Sequence, residues 1–197
     1  MNILAFDTSG DYCLVALQYN DKLYCEPMEL VHGHATYLVP LILQTMGKVQ
    51  FADLDLLGVV NGPGSFTGIR VGLATAHGLA MAARLPLVAV SAFDLYACPD
   101  ATVLIDSRRG DLFVQKYDAH LNPIGEPQIQ KPQDIEATAQ INGNGVKLIH
   151  PEHIVAPSPQ ALIDLTKRNY GRSSGLRQDC QPLYLREPDA VIKHSTL

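Results

Sequence analysis

The chain has 197 residues, 47% hydrophobic and 18% charged, with a formal net charge of −5; this composition excludes disorder, and the length suffices for a buried core. The acidic balance excludes a protein that grips nucleic acid unaided, because neutralising phosphates needs a Lys/Arg surplus, so any contact with RNA would need a partner to supply the positive charge. Residues 30–47 lack charge but contain His32, His34, Pro40 and Gln44, the start lacks a basic segment before Asp7, and Cys13, Cys25, Cys98 and Cys180 form no C-x-x-C pair, so the chain is expected in a reducing cytoplasm, with no membrane span and no signal peptide.

In chain order, residues 2–7 (NILAFD) predict a buried strand ending on an acid, 11–19 a second strand, and 22–29 a third after the Asn20-Asp21 turn. Leu38, Leu41, Ile42 and Met46 keep helical spacing in a helix from about His34 to Met46. LLGVV at 56–60 predicts a strand broken by the turn N-G-P-G at 61–64. Ser65 or Thr67 can cap the following helix, which runs to about Arg84 and is stopped by Pro86. LVAV at 87–90 is a further strand, Ser91 can cap a short helix, and 102–106 with 111–117 form another hairpin.

An internal echo appears at that hairpin. LAFDTS-GDYCLVALQYN (4–20) and VLIDSRRGDLFVQKYD (103–118) both run strand, Asp, Ser/Thr, Gly-Asp, strand, matching Asp7 with Asp106 and Gly10-Asp11 with Gly110-Asp111. Two copies of one strand–turn–strand unit suggest a duplicated, two-lobed α/β fold. Lobes are expected at 1–100 and 101–186. The second is thin, because the chain after 118 is rich in Pro, Gln, Asn and Gly; one amphipathic helix is expected at about 159–170, a loop at 171–182, and a loose tail at 187–197.

Asn61-Gly62-Pro63-Gly64-Ser65-Phe66-Thr67-Gly68-Ile69-Arg70 opens a helix just after a buried strand. Such a loop can aim backbone N–H groups at an anion, with the helix dipole behind them. Ile69-Arg70 stands where a P-loop needs Lys-Ser/Thr, however, so the pattern fits a tight strand-to-helix turn as well as a phosphate site. With the first hairpin, the candidate nucleotide-binding residues are Asp7, Thr8, Ser9, Gly62, Gly64 and Ser65; Asp106 would be a second carboxylate able to hold Mg²⁺ through water.

Gly68, Gly72, Ala76 and Ala80 recur every fourth residue in the helix behind the loop. Two helical glycines cost roughly 1 kcal/mol each relative to alanine, a cost that close approach of another helix would offset. No charged residue lies from Val71 to Ala83, or between Glu29 and Lys48. A surface helix normally carries a charged outer face. These two helices are therefore expected to be covered, by a partner subunit or by the second lobe.

FDTS (6–9), HATYLVPLI (34–42), NGPGSFTGIRVGLATAHGLA (61–80), VSAFDLYA (90–97), IDSRRGDLFV (105–114) and PLYLREPDA (182–190) resemble the TsaB (YeaZ) family over most of the chain. The resemblance implies an actin-like/Hsp70/sugar-kinase (ASKHA) fold with two lobes related by duplication. It also implies a non-catalytic subunit that partners the metal-binding catalytic paralog TsaD and the ATPase TsaE. Their joint task is to move a threonylcarbamoyl group from its adenylate onto N6 of adenosine 37 in tRNAs reading ANN codons. The family pairs through its first two helices, so a partner or homodimer interface is expected at His34, Tyr37, Leu38, Leu41, Gly68, Arg70, Val71, Gly72, Thr75, Ala76 and Leu79. The catalytic paralog's two metal-binding histidines would fall on Ala92 and Tyr96, which removes the metal site. ATP or ADP would be bound weakly or at the partner interface, and tRNA met only through the complex.

The competing readings are enzymes. An autonomous actin-fold ATPase or kinase would use Asp7, Thr8, Ser9 and Asp106. A metallopeptidase-like enzyme would need about three ligands, for which His32-Gly33-His34 and His150-Pro151-Glu152-His153 are the candidate clusters. Neither offers the i, i+4 helical pair of a zincin, so no metal is expected.

Overall fold

The computed structural model of the chain describes residues 1–30, 32–136, 140–172 and 180–186. The expected tail at 187–197 lies outside the described residues, as does the part of the expected loop at 173–179.

The first lobe is a five-stranded sheet built from β1 (Ile3–Asp7), β2 (Tyr12–Tyr19), β3 (Lys22–Glu29), β4 (Leu56–Val60) and β5 (Leu87–Val90), in the order β3-β2-β1-β4-β5. β2 runs antiparallel to β1 and β3, whereas β4 runs parallel to β1 and β5. Each residue of β1 and β4 is buried, which is why these strands read as unbroken apolar runs instead of alternating. One face carries α1 (His34–Met46) and α2 (Phe66–Ala83) over Leu4, Phe6, Val15 and Val59. Ser65 caps α2, its side chain accepting from Gly68 N at 3.2 Å. Ser91 likewise caps α3 (Ala92–Leu95) through Phe93 N.

The second sheet comprises β6 (Thr102–Asp106), β7 (Leu112–Tyr117), β8 (Pro123–Gln130) and β9 (Ile141–Asn142), ordered β8-β7-β6-β9. β7 is antiparallel to β6 and β8, and β9 parallel to β6. Position for position this repeats β3-β2-β1-β4, so the sequence echo is a duplication of whole sheets. Between β8 and β9, where the first lobe places α1, the described residues hold a single 3-10 turn at Pro132–Asp134, and β9 is followed by a second at Val146–Leu148 before the chain enters its last helix. β8 went unforeseen because PIGEPQIQ is an edge strand, mostly exposed, where prolines remove no inner ladder bond.

The helix expected at 159–170 is α4 (Pro159–Arg172). It packs on β5, β2, β1 and β4 of the first sheet, burying Leu162, Ile163 and Thr166. The two lobes consequently share one core, in which Ala5, Leu14 and Val90 meet Val103, Ile105, Phe113 and Leu162. The division at residue 100 follows the sheets but not the helices, because the first sheet has two apolar faces to cover and the second lobe supplies the cover for one of them.

Candidate functional site

The glycine loop and the first hairpin turn are built into each other. Asp7 ends β1 and accepts a hydrogen bond from Ser9 N at 2.7 Å, turning the chain sharply. Thr8 Oγ1 then donates to Gly68 O at 2.7 Å and Ser65 N donates to Ser9 O at 2.8 Å. A Cβ on Gly68 would overlap Thr8 O, one on Gly64 (φ +152°) would overlap Ser9 O, and one on Gly72 would sit 2.5 Å from Thr8 Oγ1.

These three glycines admit the chain's own Thr8–Ser9 backbone. Asp7 and Thr8 are 1% exposed and Ser9 3%, and Gly62 is buried while Gly64 and Ser65 are half-buried, so of the six expected nucleotide-binding residues Gly64 and Ser65 keep the most accessible surface. Burial outweighs the Ser9 hydrogen bonds and pushes the Asp7 carboxyl above the usual carboxylate range. The same turn recurs in the second lobe, where Asp106 Oδ1 accepts from Arg108 N at 2.8 Å.

Between the lobes, Asp11 is gripped by two cations of the second lobe. Arg108 approaches its Oδ1 at 2.7 Å and Lys147 its Oδ2 at 2.5 Å, and both also lie near Asp106. Burial opposes ionisation of Asp11, but the Lys147 and Arg108 contacts overcome it and hold its carboxyl below the ordinary value.

The segment 180–186 straps the loop from outside. Leu183 N donates to Asn61 O at 2.8 Å, Asn61 Nδ2 donates to Gln181 O at 2.8 Å, and Arg186 meets Asp111 at 2.6 Å. Tyr184 stacks on Phe66 with ring centroids 4.9 Å apart, and Arg70 lies over the Phe66 ring while its Nε donates to Tyr184 Oη at 3.0 Å. A pocket of about 230 Å³ remains between the strap, the start of α2 and the Ser107–Arg109 turn. Arg70, expected to reach across an interface, is exposed and holds the strap.

The small-residue stripe also faces inward. Gly68, Gly72, Ala76 and Ala80 are buried on the chain's own sheet, as are Leu38 and Leu41 of α1. As interface residues these positions are corrected: the close approach that repays the glycines is to the Thr8 turn and Val59, not to another helix. Tyr37 is exposed, whereas His34, Val71, Thr75 and Leu79 are half-buried. Burial lowers the His34 pKa, and its Nε2 is buried without a partner among the described residues.

The neighbouring helices α1 and α2 nevertheless present a largely apolar outer surface, with Arg70 at the start of α2 its one charged residue. Tyr37 is 45% exposed, Val39 46%, Leu43 56% and Met81 73%. Val39, Leu43 and Met81 are absent from the expected interface, most of whose α1 and α2 positions lie on the buried or half-buried phase of each helix. Their signal was the i, i+4 pair Val39/Leu43 on the phase where charge belongs. At the positions expected to have lost metal-binding histidines, Ala92 and Tyr96 are 1% and 5% exposed.

Two duplicated sheets sharing a core, with paired Asp turns facing each other between lobes, define a two-lobed α/β protein of the actin-like (ASKHA) class. The sequence model of the family described as "TsaD: tRNA N6-adenosine threonylcarbamoyltransferase" matches residues 25–162. The Escherichia coli "tRNA threonylcarbamoyladenosine biosynthesis protein TsaB" is 33% identical over 192 residues, covering 89% of this chain and 78% of that one. A protein of the same description from Haemophilus influenzae is 32% identical over 124 residues, 57% of this chain and 52% of its own. Among solved structures, "YeaZ from Pseudomonas aeruginosa" superposes with a TM-score of 0.78 at 24% identity, covering 93% of this chain and 99% of that one. This chain belongs to the TsaB (YeaZ) family.

Proposed function

We propose that the chain serves in the biosynthesis of threonylcarbamoyladenosine in tRNA as the accessory subunit that binds and activates the TsaD-type catalytic paralog, itself making no catalytic contact. The observation that carries this reading is the apolar outer face of α1 and of α2 beyond Arg70, where Tyr37, Val39, Leu43 and Met81 stand in solvent. The gain from removing such side chains from water, roughly 25 cal/mol per Å², is available to a partner but not to the chain alone.

The non-catalytic role is supported by Ala92 and Tyr96. Alanine has no donor, and the Tyr96 hydroxyl is held protonated by burial, which raises its pKa well above the ordinary tyrosine range. Asp7, Thr8 and Ser9 are buried in the joint with α2, so weak contact with ATP or ADP is assigned to the partner interface. The family's TsaE-type ATPase is a further partner, and tRNA is met through the complex, in keeping with the net charge of −5. The same face can pair with its own copy about a two-fold axis, giving a homodimer in isolation that exchanges for the heterodimer, in the cytoplasm.

The test is reconstitution of threonylcarbamoyl transfer to tRNA with this chain alone, with the catalytic paralog alone, and with both plus the ATPase component. Repeated turnover by the full mixture only, with none from this chain, supports the reading. Turnover by this chain alone, or no difference when it is added, refutes it.

A further inference from the structure

The segment that joins the 3-10 turn Val146–Leu148 to α4 gathers three donor side chains that the proposed function does not use. His150, Glu152 and His153 place their ligand atoms within 4.8 Å of one another, and among the described residues no other group of three or more does so. The sequence marks His150-Pro151-Glu152-His153 as a candidate cluster but, lacking an i, i+4 helical pair, gives no expectation of a metal there; the convergence of the three donors is made by the backbone. Ile149 N and His150 N both donate to Val146 O, and His153 N donates to His150 O at 2.9 Å, closing a four-residue turn. Pro151 occupies the second position of that turn, where its ring presets φ. All three donors therefore leave one pre-folded turn, and gathering them costs little backbone entropy.

We propose that His150, Glu152 and His153 form a binding site for a divalent transition-metal ion of the zinc class. Two imidazoles and one carboxylate suit Zn²⁺, Ni²⁺ or Cu²⁺ and not Mg²⁺ or Ca²⁺, which take oxygen ligands. Metal–ligand bonds of about 2.1 Å in tetrahedral geometry set ligand atoms about 3.4 Å apart. His150 Nδ1 is 3.9 Å from Glu152 Oε1 already, with the two side chains 49% and 69% exposed, and the His150 and His153 rings meet edge-on at 5.6 Å. Side-chain rotation alone closes the remaining gap, and no packing resists it. Three protein ligands leave at least one coordination position to water. The site stands on an open turn and not in a substrate cleft, so it holds a metal without forming the hydrolytic centre of a metallopeptidase.

The deciding experiment is a calorimetric titration of the full chain with Zn²⁺ and, separately, with Mg²⁺. A Cys25→Ser background keeps that exposed thiol from competing. One equivalent of Zn²⁺ is expected to bind and Mg²⁺ not to. His150→Ala and His153→Ala should each weaken Zn²⁺ binding roughly tenfold or more, whereas His120→Ala should leave it unchanged. Melting temperatures of the metal-free variants, expected to equal that of the parent, separate loss of a ligand from loss of the fold. An affinity for Zn²⁺ that survives the double variant H150A/H153A, no Zn²⁺ binding by the parent, or equal binding of Mg²⁺ would overturn the assignment.

Discussion

Thr8 Oγ1 donates a 2.7 Å hydrogen bond to the carbonyl of Gly68 across sixty residues of sequence, fastening the turn after β1 to the first turn of α2. The contact is possible because Gly68 has no Cβ, which would lie 1.9 Å from Thr8 O. Gly68→Ala should accordingly destabilise the chain by about 3 kcal/mol or more, as overpacking against rigid backbone does. Chemical denaturation measures this, and a loss below about 0.5 kcal/mol would mean that the turn can back away. The glycine loop is thus a structural joint between the first hairpin and α2.

The outer face of α1 and α2 yields the opposite pattern. Leu43→Glu and Met81→Glu replace side chains that stand 56% and 73% exposed, so each should change stability by no more than about 0.5 kcal/mol. Both should abolish pairing, with the catalytic paralog and with a second copy alike, because a carboxylate would be buried unpaired. Analytical ultracentrifugation and pull-down report pairing while thermal melting reports the fold. Ala76→Arg makes the contrast: Ala76 is fully buried on the sheet, so that variant should fail to fold instead of folding without its partner.

How far the sequence could be read follows from where each signal resides. β1 and β4 were legible because a strand buried on both faces must be an apolar run, and α1, α2 and α4 because their buried residues recur with helical period. The Asp7/Asp106 echo was legible because each Asp forms the same local turn. The direction of the Gly68–Gly72–Ala76 stripe was not, since a spacing of four is the same whether the helix meets another helix or a hairpin turn. Neither was the strap, whose position rests on single long-range bonds such as Asn61 to Leu183. His150, Glu152 and His153 converge through a backbone turn that no periodicity announces.

Asp11 makes stability depend on pH in a defined direction. Its folded carboxyl titrates below the ordinary value because Lys147 and Arg108 hold it ionised. A carboxyl of depressed pKa contributes stability that is fully present above its unfolded value, about 3.9, and is lost as pH falls through the folded value. Wild-type protein should therefore lose stability below about pH 4 faster than Asp11→Asn, and the two curves should converge at the acid end. Urea midpoints measured between pH 7 and pH 2.5 test this; parallel curves would show that the clasp contributes nothing.

Tyr184 is the point where the strap is fixed to α2, through its ring on Phe66 and its hydroxyl on Arg70. Tyr184→Phe keeps the stacking and removes one exposed hydrogen bond, so its cost should stay near 0.5–1 kcal/mol. Tyr184→Ala removes the ring as well and should free residues 181–186 from the glycine loop without unfolding either sheet, because Cys180 is the strap's one fully buried core residue and stays in place. Hydrogen exchange separates the two effects: the amide of Leu183, which donates to Asn61 O, should lose protection in Tyr184→Ala and keep most of it in Tyr184→Phe. The amides of β1 and β4 should be unchanged in both. Equal loss of protection throughout the first sheet would show that the strap is part of the cooperative core and not a separately releasable segment.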